Sequence, residues 1–235
     1  RGTAKSVMSR LGVIVHECGH FYDIYGAGGL GSKQYVINPT LTFKCKDARA
    51  TDSKLSSFGS NLSWSRSRLN KDKWSSKHPP CKSLSGAKGC DSYAYIYLGG
   101  DPDNGNFEGG DQGFDNLLEE VTQYVNSIAT GYAYQDQKGF GSSSSDRDGI
   151  LNFLWYVERY LHMSRTKYPK FYKFASQDKC WRELVLTLWG RAWLYLELTD
   201  GNKNLGIQDT KLLKLVKDPE LLNEIKLLRT IHGCK

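Results

Sequence analysis

The chain has 235 residues, 39% of them hydrophobic, with 14 tyrosines and 6 tryptophans, which excludes a disordered segment and supplies one substantial core. No apolar run approaches the ~20 residues that a membrane-spanning helix needs. The formal charge of +7 comes from scattered lysines and arginines without a nucleic-acid-binding motif, so it reads as a solvated basic surface with no nucleic-acid partner.

Residues Ala4 to Tyr25 read as one helix. Val7, Leu11, Ile14 and Val15 give it an apolar face, while His16, His20 and Asp23 share a narrow polar stripe. The glycine cluster after Tyr25 ends it. Gln34 to Lys46 reads as a strand pair turning at Asn38-Pro39. The stretch 47–91, rich in Ser, Lys and Arg, reads as a loop-rich insertion. Alternating tyrosines predict a strand over Ser92 to Leu98, and a Gly/Asp-rich loop follows to Asp111. Phe114 to Thr130 reads as a second long helix. After a flexible Gly/Ser loop, a helix capped by Asp146 or Asp148 covers Ile150 to Ser164. Further helices follow over Cys180 to Leu198, Thr210 to Lys217 and Pro219 to Ile231.

The first helix carries His16-Glu17-Cys18-Gly19-His20, an HExxH pattern. Histidines four apart lie about 40° apart around a helix and one turn apart along it, so both rings reach one metal ion. Glu17 then stands beside a zinc-bound water, where a carboxylate acts as general base. A catalytic zinc needs a third protein ligand. Asp23 and Gly26 stand where a metzincin would carry its glycine and third histidine, which rejects that class. The second helix offers a carboxylate instead. Leu117, Leu118, Val121, Val125 and Ile128 define its buried face. Glu120 lies at the edge of that face and Glu119 nearly opposite, so Glu120 is preferred as the ligand.

Asp23 and Asn126 are read as hydrogen-bond partners that hold the imidazoles in orientation. Tyr132 and Tyr134, just past the second helix, are read as oxyanion donors, with Tyr124 and His232 behind them. Asp101, Asp103 and Glu108 gather oxygen ligands in a Gly-bent loop suited to Ca²⁺, although the EF-hand pattern is incomplete. The six cysteines fit disulfides Cys18–Cys45, Cys81–Cys90 and Cys180–Cys234 and an extracellular or periplasmic residence. No signal peptide is visible, so the chain reads as a mature form or an excised domain.

The segment His16-Glu17-x-Gly19-His20-x-x-Asp23-x-Tyr25 resembles the active-site helix of lethal-factor-type gluzincin metallopeptidases, over about ten residues plus the helix bearing Glu120. The resemblance implies Glu17 as general base, His16 and His20 as zinc ligands and Asp23 as a supporting residue. The elements in chain order read as an α+β, mostly α fold with a small β-sheet and a helical C-terminal half, and the resemblance implies a zincin-like core of two zinc-bearing helices. The reading is one catalytic domain over 1–235, with a zinc-site half at 1–138 and a helical half at 146–235. The expected activity is that of a secreted, monomeric zinc endopeptidase acting on a protein or peptide. Alternatives are a zinc hydrolase of a non-protein amide such as cell-wall peptide, and a catalytically silent metal-holding domain.

Overall fold

Thr3 starts the first helix: its hydroxyl accepts from the Ser6 amide at 3.2 Å and satisfies one of the free donors of the first turn. The computed structural model describes residues 3–26, 34–46, 66–82, 89–98, 113–136 and 146–234. Helix α1 spans Ala4–Tyr25, as its periodicity predicts. It does not pack on the apolar stripe, however. Val7 and Ile14 stay half or more exposed, whereas His20, Asp23 and Ile24 are buried. The polar stripe turns inward because the facing helix presents carboxylates to it.

The hairpin consists of β1 (Tyr35–Asn38) and β2 (Leu41–Phe43), antiparallel, with Tyr35 opposite Phe43 and Val36 opposite Thr42. Asn38 shapes the turn by accepting from the Thr40 amide and hydroxyl, both at 2.9 Å. Tyr35 is buried edge-on to Trp181, with ring centroids 5.9 Å apart. That contact brings the end of β2 onto a C-terminal helix, where Cys45 bonds Cys180 across a Cα separation of 5.4 Å.

This pairing corrects two expected disulfides. Cys18 projects from the exposed side of α1 and Cys234 lies exposed past the last helix, and both are free thiols. Neither Cys18–Cys45 nor Cys180–Cys234 forms, because the hairpin docks its own cysteine on Cys180. Cys81–Cys90 forms as expected.

The second correction concerns Ser92–Tyr97, which is the short helix α2 and not a strand. Asp91 caps it by accepting from the Ala94 amide at 3.1 Å. The same carboxylate accepts from Asn152 Nδ2 at 2.9 Å and from the Tyr156 hydroxyl at 2.5 Å. The tyrosines that look alternating also contain an i,i+4 pair: Tyr93 and Tyr97 stack on one face, and Ala94 and Leu98 are buried on the other.

Helix α3 spans Gly113–Ala133, and α4 spans Asp146–Lys167. Helix α4 is the axis of the molecule: it is buried on every side through residues such as Ile150, Phe153, Trp155 and Tyr160. Around it lie α5 (Pro169–Gln177), not anticipated from sequence, α6 (Lys179–Leu198), α7 (Asp209–Val216) and α8 (Pro219–His232). Asp148 ties α4 to the segment before α7 by accepting from the Ile207 and Gln208 amides. The insertion is anchored by Arg159, which holds both Asp72 carboxylate oxygens at 2.8 and 2.9 Å. Among the described residues the structure is thus mostly helical with one two-stranded sheet, and no helix is long and apolar enough to cross a membrane.

Candidate metal centre

Helix α3 is sandwiched between α4 and α1. Leu117, Leu118, Val121, Val125 and Ile128 build its core side, and Glu119, Glu120 and Gln123 are buried as well. The expectation that Glu119 points away therefore fails: a helix covered by two layers has a wider buried arc than one apolar stripe indicates.

The close approach of α1 and α3 depends on Gly19. A Cβ there would sit 1.9 Å from Gln123 Oε1, so no larger residue fits without displacing that side chain. This explains the glycine inside the HECGH segment.

Across this seam the structure brings three donors together. His16 Nε2 and His20 Nε2 are 2.9 Å apart. Glu120 Oε2 lies 3.5 Å from His16 Nε2, and Glu120 Oε1 lies 3.7 Å from His20 Nε2. Ligands of a tetrahedral zinc with 2.0–2.1 Å bonds stand roughly 3.3 Å apart, so these spacings suit one shared ion. Glu120 Oε2 is buried and has no hydrogen-bond partner, a costly state that a cation removes. His16, His20 and Glu120 can therefore hold a metal ion.

The surrounding charges point the same way. Asp23, Glu119 and Glu120 are all buried, and among the described residues no lysine or arginine pairs with any of them. The donor set of two imidazoles and one carboxylate is that of catalytic zinc sites.

Glu119 holds His20 in place. His20 Nδ1–H donates to Glu119 Oε2, which sets the tautomer of the neutral ring and turns Nε2 toward the cluster. Glu119 Oε1 accepts from Gln123 Nε2 at 3.0 Å, and the same nitrogen donates to Asp23 Oδ2 at 2.8 Å. Asp23 also accepts from the Val36 amide at 3.2 Å, which links the chain to β1. Burial lowers the His20 pKa, but the Glu119 hydrogen bond and the charges of Glu119, Glu120 and Glu17 outweigh it and lift the group to about 9. Burial and then the Glu119 charge push Asp23 up to about 7 against its two hydrogen bonds.

The remaining expected residues divide. Glu17 is exposed beside the cluster, near enough for its charge to act on His20 and Tyr97. Asp23 supports the site through Gln123 and does not hydrogen-bond an imidazole. Asn126 is not an imidazole partner either: it donates to Val36 O at 3.3 Å and accepts from Arg191 at 3.2 Å. Tyr132 and Tyr134 are excluded by distance, because twelve residues from Glu120 is ~18 Å along a helix, and Tyr134 is 44% exposed. His232 is exposed in the last turn of α8. Asp101, Asp103 and Glu108 lie outside the described residues.

In place of the distant tyrosines, α2 and α3 supply a nearer group. The Tyr124 ring meets His16 edge-on at 4.6 Å, and its hydroxyl donates to Tyr93 at 3.0 Å. The Tyr97 hydroxyl stands beside Glu120; burial, then the Glu120 charge, pushes its pKa far above the ordinary phenol value and keeps it a donor. Gln123 and Tyr97 are thus residues the sequence reading missed, and Glu119, weighed there as the lesser candidate ligand, hydrogen-bonds His20 instead. The i,i+4 spacing of Glu119 with Gln123, opposite Gly19, was the available signal.

Set against protein-family models, curated proteins and solved structures, the chain matches none.

Proposed function

We propose that the chain is a secreted zinc-dependent endopeptidase of the gluzincin type, with His16, His20 and Glu120 as zinc ligands and Glu17 as general base. One observation carries the reading. Two imidazole Nε2 atoms and a buried carboxylate with one oxygen free of hydrogen bonds converge on a single point, next to a carboxylate that stays in solvent. A closed structural site fills all four positions from the protein, whereas three donors beside a solvent-facing acid compose an open one. The disulfides support an oxidising compartment.

Bound zinc supplies Lewis-acid polarisation and a water with a pKa of about 7. Glu17 takes the proton of the attacking water and returns it to the leaving nitrogen. Glu119 keeps the His20 ring oriented and restrains its tautomer through turnover. Tyr97 donates to the developing oxyanion, the role first read for Tyr132 and Tyr134.

The test is hydrolysis of a quenched-fluorescent peptide library by zinc-loaded protein. Glu17→Gln retains about one zinc per chain, as expected for an open three-ligand site, and loses roughly 10²–10⁴-fold in rate. Tyr97→Phe loses on the order of 10²-fold in kcat, while Tyr132→Phe changes nothing. A zinc-loaded Glu17→Gln protein that cleaves at the wild-type rate refutes the assignment.

A further inference from the structure

A second feature lies where α1 meets β1, α3 and α6, beside Gly19, Asp23 and Gln123. We infer that the groove between α1, β1, α3 and α6 docks an extended acidic peptide segment, with one carboxylate of that segment anchored on Arg191. The groove has a volume of about 690 Å³, within the ~300–1,000 Å³ of sites that enclose a ligand. Val15 and Tyr22 of α1, Val36 and Ile37 of β1 and the adjoining Pro39 form its apolar wall, and Arg191 enters from α6.

The charges in the groove do not cancel. Its two charged side chains are Asp23 and Arg191, and the Asp23 carboxylate is taken by the Val36 amide and Gln123. Arg191 reaches only neutral groups: Asn126 Oδ1 at 3.2 Å and the Tyr195 hydroxyl. Among the described residues, no carboxylate pairs with it. The fully buried arginines differ, since Arg147 pairs with Asp209 at 3.1 Å and Arg159 with Asp72 at 2.8 Å. Arg191 is therefore a partly buried cation without a carboxylate partner among the described residues, and burial lowers its pKa.

A guanidinium fork matches a carboxylate in plane and spacing, and an apolar wall beside it suits a neighbouring side chain. An extended segment presents such side chains alternately, and the wall itself includes a strand. The net charge of +7 favours approach of an acidic partner. Val15, Cys18 and Tyr22 lie at least ~100° around α1 from Glu17, so the occupant leaves the general base free. The groove thus shares Asp23 and Gln123 with the support of Glu119 but leaves Glu17 free, an exosite whose occupancy is read without hydrolysis.

The test uses the full chain carrying Glu17→Gln, so that bound peptides are not cut. The immobilised protein is incubated with a pool of random octapeptides, acetylated and amidated to remove terminal charges, and the retained peptides are identified by mass spectrometry. Asp and Glu are enriched in the retained pool, and a retained peptide binds about tenfold or more tightly than its Gln/Asn twin. Arg191→Gln in the same background abolishes the enrichment. Arg191→Lys, which keeps the charge and much of the volume, retains the acid preference at weaker affinity. An empty pool, a pool without acid enrichment, enrichment that survives Arg191→Gln, or unchanged affinity in Arg191→Lys overturns the inference. Since no cleavage is read, its failure leaves the hydrolase proposal standing, and failure of hydrolysis leaves the groove standing.

Discussion

Glu158, in the middle of α4, gives the sharpest physical prediction. It is 0% exposed, and neither carboxylate oxygen has a hydrogen-bond partner. The acids facing it are Asp218 and Glu224, and the cations nearby are engaged with those acids: Lys77 with Asp218 at 2.7 Å, Arg165 with Glu224 at 2.8 Å, and His162 with Glu224 at 3.0 Å. Burial first, then the Asp218 and Glu224 charges, raise the Glu158 pKa well above its ordinary value of 4.5. The folded chain therefore holds a proton that the unfolded chain releases above that value. With more protons bound in the native state, unfolding free energy falls as pH rises, by about 1.4 kcal/mol per pH unit while folded Glu158 stays protonated. Each such unit corresponds to roughly 3–6 °C in Tm for a chain of this size. Glu158→Gln keeps the shape and removes the titration. Denaturant unfolding of both proteins at half-unit pH steps isolates the effect, because His20, Asp23 and the other groups contribute equally to each. The stability of Glu158→Gln relative to wild type should rise with pH along that slope. A difference that stays flat from pH 5.5 to 7.5 would show Glu158 ionised in the native state and refute the reasoning.

Two further outcomes follow from the packing. Gly19→Ala forces its methyl into Gln123 Oε1 and breaks the hydrogen bonds that Gln123 gives to Asp23 and Glu119. Titration against a competing chelator should show zinc affinity weakened about 10–100-fold, as for other partners that hold a ligand in place; unchanged affinity would show that the seam is looser than described. Cys45→Ser opens a link across 135 residues and should cost about 2–5 kcal/mol in unfolding free energy, whereas Cys18→Ser on the exposed side of α1 changes stability by less than about 0.5 kcal/mol. Equal effects from the two substitutions would contradict the Cys45–Cys180 pairing.

Local signals were enough for the two helices that carry the site. The polar stripe of α1, its glycine stop and the periodicity of α3 are properties of neighbouring residues, so Ala4–Tyr25 and Gly113–Ala133 lie close to where the sequence puts them. The spacing of His16 and His20 is likewise fixed by the helix itself. Ser92–Tyr97 went astray because period-two tyrosines also satisfy a four-residue spacing, and only the Asp91 cap anchored on α4 decides between the two.

What the sequence by itself determined is a pair of imidazoles one turn apart with an acid beside the first, and a second helix rich in carboxylates. The tertiary structure decided how those carboxylates divide their work. Glu120 turns its unpartnered oxygen to the imidazoles, and Glu119 reaches back to His20 Nδ1, because α3 is covered on both sides. It also decided the disulfide, since Cys45 and Cys180 meet only when the hairpin lands on Trp181, and it moved the neighbouring tyrosine from Tyr132 to Tyr97. The physical reason is common to all three: helix periodicity sets the angles of side chains on their own element, but which neighbour lies at each angle is set by packing between elements far apart in the chain.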